Sequence, residues 1–228
     1  MKQHIPNTLT CCNLVSGCIA TMCALAGQFH MALLWIIVGA VFDFFDGFAA
    51  RLLHVASPIG KELDSLADDI TFGFAPAAIV FSMLGKTHAA AISPLLPFVA
   101  FLIAAFSALR LAKFNLDERQ TLGFIGLPTP ANALFWAAAA VSLPYEVYAH
   151  PWAPWVLIAL VFLSSWLLIC EIPMFALKFK SYGLAGNELR YGFILVAAVL
   201  LALLGWGGFV AIIPLYILVS IVAACLKK

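Results

Sequence analysis

Charge is what this sequence has least of. Only 10% of its 228 residues are Asp, Glu, Lys or Arg, where a soluble globular domain carries about a quarter. Hydrophobic residues make up 64% and the mean hydropathy is +1.06, so the chain belongs in a bilayer. Neither sign of charge predominates. Twelve Lys and Arg against 11 Asp and Glu leave a formal +1, which removes any electrostatic case for nucleic acid. The six cysteines (Cys11, Cys12, Cys18, Cys23, Cys170 and Cys225) form no CxxC pair and no Cys/His cluster at zinc spacing. They read as small buried hydrophobes. The five histidines are dispersed at span ends and contribute no ligand pair. Residues 1–10 do not resemble a cleaved signal, and no low-complexity stretch or long linker divides the chain. One transmembrane domain over residues 1–228 is the expectation.

What is present is hydrophobic length. A membrane helix needs about 20 mainly apolar residues. Eight candidates fall near 8–27, 30–53, 59–84, 91–113, 128–145, 153–172, 190–206 and 208–226, the last two turned at Gly205-Trp-Gly-Gly208. The fold class is therefore an all-α integral membrane protein of about eight spans. Eight spans put both termini on one side, and the basic residues say which. All but Lys86 of the 12 Lys and Arg fall on the N-terminal side, so the termini are expected in the cytoplasm.

The acids are concentrated. Six of the eleven lie between Asp43 and Asp69. Asp43 and Asp46 are three apart near the cytoplasmic end of the second span, and Asp64 and Asp68 are four apart near the start of the third. Both spacings put a pair on one helix face. Two antiparallel neighbours joined around Ser57-Pro58 bring the pairs to one depth. Four carboxylates so placed repel unless a cation sits among them, and an all-oxygen cage suits Mg²⁺ or Mn²⁺, with Ca²⁺ as competitor. Gly47, Ala50 and Gly60 keep the nearby surface small, and Arg51 can neutralise a carboxylate or reach a phosphate. The plainer reading is helix-end charge and packing notches; four acids in register speak against it.

These residues carry a resemblance. Asp43-x-x-Asp46-Gly47-x-x-Ala50-Arg51, eight residues, then Gly60-x-x-x-Asp64-x-x-x-Asp68 resembles at every position the signature of the CDP-alcohol phosphatidyltransferase family, a core motif over residues 43–68. Ile5-Pro-Asn-Thr-Leu-Thr10 with Asn13, Leu63 to Asp68 leading to Phe72-Gly73 and Ala75-Pro76, Ala108 to Asn115, and Gly126 to Ala131 are similar to its phosphatidylserine synthase branch. The resemblance is close over residues 5–135. It implies a helical bundle in a homodimer, with a polar cavity open to the cytoplasm and laterally to lipid in a bacterial cytoplasmic membrane. It implies transfer of the phosphatidyl group of CDP-diacylglycerol to the hydroxyl of L-serine, releasing CMP. Asp43, Asp46, Asp64 and Asp68 would hold Mg²⁺ or Mn²⁺, with Asp68 also the general base; Gly47, Ala50, Arg51 and Gly60 would line the CDP site.

Other polar residues keep two readings each. Arg110 and Lys113 end the fourth span, either as orienting charge or as ligands of the serine carboxylate or a phosphate. Asn13 and Thr10 either contact nucleotide or bond between helices. Asp69 points about 100° away from Asp68 and is secondary. Lys178, Lys180 and Arg190 either attract anionic lipid or only set orientation. Two other functions compete: the same chemistry on glycerol 3-phosphate or inositol phosphate, and divalent-cation transport. Against transport, all four acids lie near one membrane face.

Overall fold

The computed structural model describes residues 4–55, 57–117, 124–175, 183 and 187–226. Of the basic residues counted above, Lys2, Arg119, Lys178, Lys180, Lys227 and Lys228 lie outside them. The first two helices, α1 (His4–Leu25) and α2 (Phe29–Leu53), pack along one another as a hairpin turned at Gly27, whose φ of 73° favours glycine. Helix α2 stops at His54 in the left-handed region. Ser57 then caps α3 (Pro58–Asp68): its hydroxyl accepts the Gly60 N–H at 3.1 Å, and Pro58 occupies the first turn, where no N–H is needed.

Helix α3 does not end at Asp68. It continues through one π-turn, Asp69–Phe74, into α4 (Ala75–Gly85). After α5 (Ala89–Ile92), a 3₁₀ segment over Leu96–Phe101 leads into α6 (Leu102–Leu116). Helices α7 (Thr129–Ser142), α8 (Tyr145–Tyr148) and α9 (Ala153–Ile169) follow, and α10 (Glu188–Leu204) and α11 (Gly208–Leu226) come last. Strands β1 (Phe124–Ile125) and β2 (Pro173–Met174) pair antiparallel and tie the approach to α7 to the exit of α9.

Helix α4 is the centre of the bundle, with Ala77, Ile79, Val80, Met83 and Leu84 buried against α1, α6 and α7. In lipid there is little apolar surface for water to expel, so close packing has to hold the helices together. Two glycines show it. A Cβ on Gly39 would stand 2.6 Å from Thr71 Cγ2, and one on Gly17 would collide with the Thr71 side chain. Both absences let α1 and α2 close on the π-turn.

Five stretches among the described residues are long and apolar enough to cross a membrane: His4–Leu25, Phe29–Leu53, Pro58–Gly85, Leu96–Leu116 and Glu188–Cys225. The chain is thus an all-α membrane protein. The fifth stretch contains the expected turn. Gly205 has a φ of 56°, and Gly208 stands so close to α10 that a Cβ would lie 3.0 Å from the Leu200 carbonyl oxygen. Helices α7 and α9 are shorter than the spans expected at 128–145 and 153–172, because Leu143 and Cys170 adopt extended backbone. The span expected at 91–113 begins late: the chain is broken at Ser93 and regular helix starts only at Leu102. The cysteines need a correction. All six are free, yet only Cys170 is buried, and Cys11, Cys18 and Cys225 lie on outer helix faces. In a bilayer a thiol satisfies an apolar outer face as well as an apolar core.

Candidate active site

Four elements build the site. Helix α2 carries Asp43 and Asp46 one turn apart; the Ser57 cap starts α3 so that Asp64 and Asp68 face them; α1 lies against both. The result is a convergence of three carboxylates. Asp43, Asp64 and Asp68 each offer an oxygen, and these atoms all lie within 4.8 Å of one another.

Asp46 is held differently. It is buried, and its Oδ2 accepts the Thr10 hydroxyl at 2.6 Å, which ties α2 to α1. Asp68 Oδ1 accepts the Asn13 amide N–H at 3.1 Å. Asn13 is fixed in turn, because its main-chain carbonyl accepts the Thr71 hydroxyl at 3.0 Å. Asp64 Oδ1 is buried without a hydrogen-bond donor. Three carboxylates this close, one with an orphaned oxygen, form a group that could hold a cation, whose charge would offset their repulsion. An all-oxygen donor set of this kind fits a hard divalent ion.

Beside the carboxylates lies a cleft of about 250 Å³. Gly47, Ala50 and Gly60 line it, together with Thr10, Asp46, Lys61 and Asp64. The small residues have a visible reason. A Cβ on Gly60 would meet Ser57 Oγ at 3.0 Å and Asn7 Oδ1 at 3.3 Å, and one on Gly47 would meet the Arg51 guanidinium at 3.3 Å. Arg51 itself is exposed and folds back over Gly47. Asn13 is not among the cleft's lining residues; it lies fully buried beneath Asp68.

Helix α6 reaches the site from the other side. Lys61 Nζ donates to the Asn115 carbonyl at 2.8 Å, and Asn115 Nδ2 donates to Ser65 Oγ at 2.7 Å, so the end of α6 is fastened to α3. Arg110 is 94% buried on this helix, its Nε without a partner and its Cζ 5.8 Å from the Phe114 ring centroid. Lys113, one turn further along the helix, is exposed. Asp69 turns away from the cluster as expected: its Oδ1 lies 2.6 Å from where a Gly73 Cβ would stand, beside Ser107 of α6. The roles of Asn7, Ser57 and Ser65 had no signal in the sequence beyond the Ser-Pro cap.

The family model for CDP-alcohol phosphatidyltransferase matches residues 3–177, which takes in the whole of this site. The chain belongs to that family. Among curated relatives, one from Bacillus subtilis is 40% identical over 132 residues, covering 56% of this chain and 70% of the relative. One from Mycobacterium leprae is 33% identical over 180 residues, 75% of this chain and 58% of the relative. One from Mycobacterium tuberculosis is 31% identical over 229 residues, 96% of this chain and 74% of the relative. All three are named CDP-diacylglycerol–serine O-phosphatidyltransferase. The match spans less than two thirds of the Mycobacterium leprae protein. The family is generally dependent on a divalent metal, in keeping with the carboxylate cluster.

Proposed function

We propose that this chain transfers the phosphatidyl group of CDP-diacylglycerol to the hydroxyl of L-serine, giving phosphatidylserine and CMP. The observation that carries the reading is the convergence of Asp43, Asp64 and Asp68 beside a cleft walled by Gly47, Ala50 and Gly60. The names of the relatives supply the acceptor. Gly47, Ala50 and Gly60 admit the CDP moiety close to the backbone, and Arg51 at the rim and Lys61 in the wall offer positive charge to its diphosphate. Asp43, Asp64 and Asp68, with Asp46 beside them, would hold Mg²⁺ or Mn²⁺. Such an ion stabilises negative charge on the transferring and leaving oxygens.

Asp68 is the general base. Its Oδ1 is engaged by Asn13, which leaves the second oxygen to take the proton of the serine hydroxyl. The serine oxygen forms its bond to the phosphorus that bears the diacylglycerol, the bond from that phosphorus to CMP breaks, and CMP leaves with the electron pair. No covalent enzyme intermediate is needed. Arg110, buried with an unpaired Nε, is the group for the serine carboxylate, and Lys113 at the helix end adds charge without reaching in.

The same reading gives the chain one domain of eight spans, α10 and α11 being the last two, with both termini and the site facing the cytoplasm of a bacterial cell, in a homodimer. Arg51, Lys61, Arg110 and Lys113 lie at the carboxylate end of the bundle. Lys86 lies at the other end, its Nζ 4.0 Å from the Phe29 ring centroid. The test is direct. Purified protein given CDP-diacylglycerol, Mn²⁺ and labelled serine is expected to form labelled lipid with one CMP released per serine. Labelling by glycerol 3-phosphate and none by serine overturns the acceptor; ion flux in liposomes without CMP release overturns the reaction.

A further inference from the structure

Helix α6 leaves the core before it ends. Arg110 and Leu111 are buried, but Ala112, Lys113, Phe114 and Leu116 are exposed, so packing holds the helix as far as Leu111 and little beyond. A helix end so placed tends to fray, because its last four carbonyls have no partner within the helix. Two hydrogen bonds to α3 hold this one. Lys61 Nζ donates to the Asn115 carbonyl at 2.8 Å, and Asn115 Nδ2 donates to Ser65 Oγ at 2.7 Å. The two are not equivalent. Lys61 is exposed and also lines the cleft, where a diphosphate would draw on its ammonium group. Ser65 is not among the cleft's lining residues, and its hydroxyl is committed: its one proton goes to the Lys61 main-chain carbonyl at 3.2 Å, which leaves a lone pair for Asn115.

The turn so tied carries Phe114. Its ring centroid lies 5.8 Å from Arg110 Cζ, within reach of a cation–π contact. Arg110 Nε is buried without a partner, so at that nitrogen no hydrogen bond fixes the guanidinium, and its direction depends on what it packs against. Asn115 follows Arg110 by five residues, about 7.5 Å along α6, and Ser65 precedes Asp68 by three, about 4.5 Å along α3. The tie therefore stands within about a turn and a half of the two groups that meet the serine carboxylate and hydroxyl in the proposed reaction.

We propose that Ser65 and Asn115 are positioning residues for the acceptor: their hydrogen bond holds the last turn of α6 and, through Phe114, aims Arg110 at the carboxylate of serine. The inference rests on Arg110 binding that carboxylate. The test is the initial rate of CMP release by the full chain, with serine and CDP-diacylglycerol varied in turn. Ser65→Ala is expected to raise KM for serine about fivefold, the value of one net hydrogen bond, while kcat and KM for CDP-diacylglycerol stay as they are. Asn115→Ala takes its place should that variant not fold. Asn115→Ala and the double variant are expected to show the same rise and no more, since one bond can be lost only once. Ser65→Thr, which keeps the hydroxyl, is expected to restore the wild-type value. Arg110→Leu tells the two layers apart, with an expected rise in KM for serine of at least about tenfold. Should it give that rise while Ser65→Ala and Asn115→Ala give none, the positioning role is overturned and Arg110 keeps its own. An unchanged KM for serine in Arg110→Leu overturns the role of Arg110 and the inference with it. A rise shared equally by both substrates, or losses that add in the double variant, overturns the positioning role as well.

Discussion

Removing the amide of Asn13 separates two roles for one residue. Asn13 lies fully buried beneath Asp68, and its Nδ2 donates to Asp68 Oδ1 at 3.1 Å. A hydrogen bond to a charged group contributes about 1.5–3 kcal/mol. If that bond aims the base, Asn13→Ala withdraws it from the transition state, and at about 1.4 kcal/mol per decade kcat falls about 10- to 150-fold. KM for CDP-diacylglycerol stays within about twofold, because the side chain does not reach the cleft. Stability changes less than rate. Asn13 Oδ1 is itself buried without a partner, so the substitution removes an orphaned acceptor along with the bond. The assay is the initial rate of CMP release across a range of CDP-diacylglycerol, at saturating serine and Mn²⁺. A raised KM with unchanged kcat would place Asn13 on the nucleotide, and no change in either would end its role as a positioning residue. Asn13→Asp, which sets a fourth carboxylate against the cluster, is expected to lose more activity than Asn13→Ala.

Asp43→Asn takes one oxygen ligand's charge from the cluster, and the Mn²⁺ concentration for half-maximal CMP release should rise at least about tenfold; an unchanged midpoint removes Asp43 from the metal site. Lys61→Met deletes the cleft's cation, so KM for CDP-diacylglycerol should rise about tenfold with kcat nearly constant, as measured by the same rates. Gly39→Ala drives a methyl group into Thr71 and Asn13 and should cost about 1–3 kcal/mol, read as a lower midpoint in a thermal scan of the solubilised protein. Gly85→Ala, with open space around it, serves as the neutral comparison.

The carboxylates were legible because they obey local geometry. Spacings of three and four on two helices joined by a short capped turn leave few arrangements, and Ser57-Pro58 announced the start of α3 in its own chemistry. The Gly205 turn was legible for a similar reason, since an apolar run too long for one span must reverse somewhere. What stayed hidden depends on partners distant in sequence. Asn13 and Asp68 are 55 residues apart, and nothing near Asn13 says whether its amide faces a nucleotide or a carboxylate. The same holds for Arg110. Its place near a helix end suggested an orienting charge, and only the packing of α6 against the π-turn and α9 shows it buried. Hydropathy located α7 and α9 but overran their ends, because Leu143 and Cys170 are as apolar as the turns before them while their backbones are extended.

The π-turn connects these observations. Helix α3 buries only Ala67 and leaves Asp64 and Asp68 to the site, whereas α4, on the same continuous rod, is buried on nearly every side. One regular helix could not keep both arrangements in register. The π-turn inserts a residue and rotates everything after it by about 100° relative to α3. It also brings Thr71 against Gly17 and Gly39, close enough for its hydroxyl to reach the main-chain carbonyl of Asn13, whose side chain reaches Asp68. The bend thus closes a ring from Asp68 through Asn13 to Thr71 and back along the helix. Straightening it, by deleting Ile70 for instance, would carry Thr71 away from the two glycines. The base would then lose its support in the same step that turned α4 out of the core.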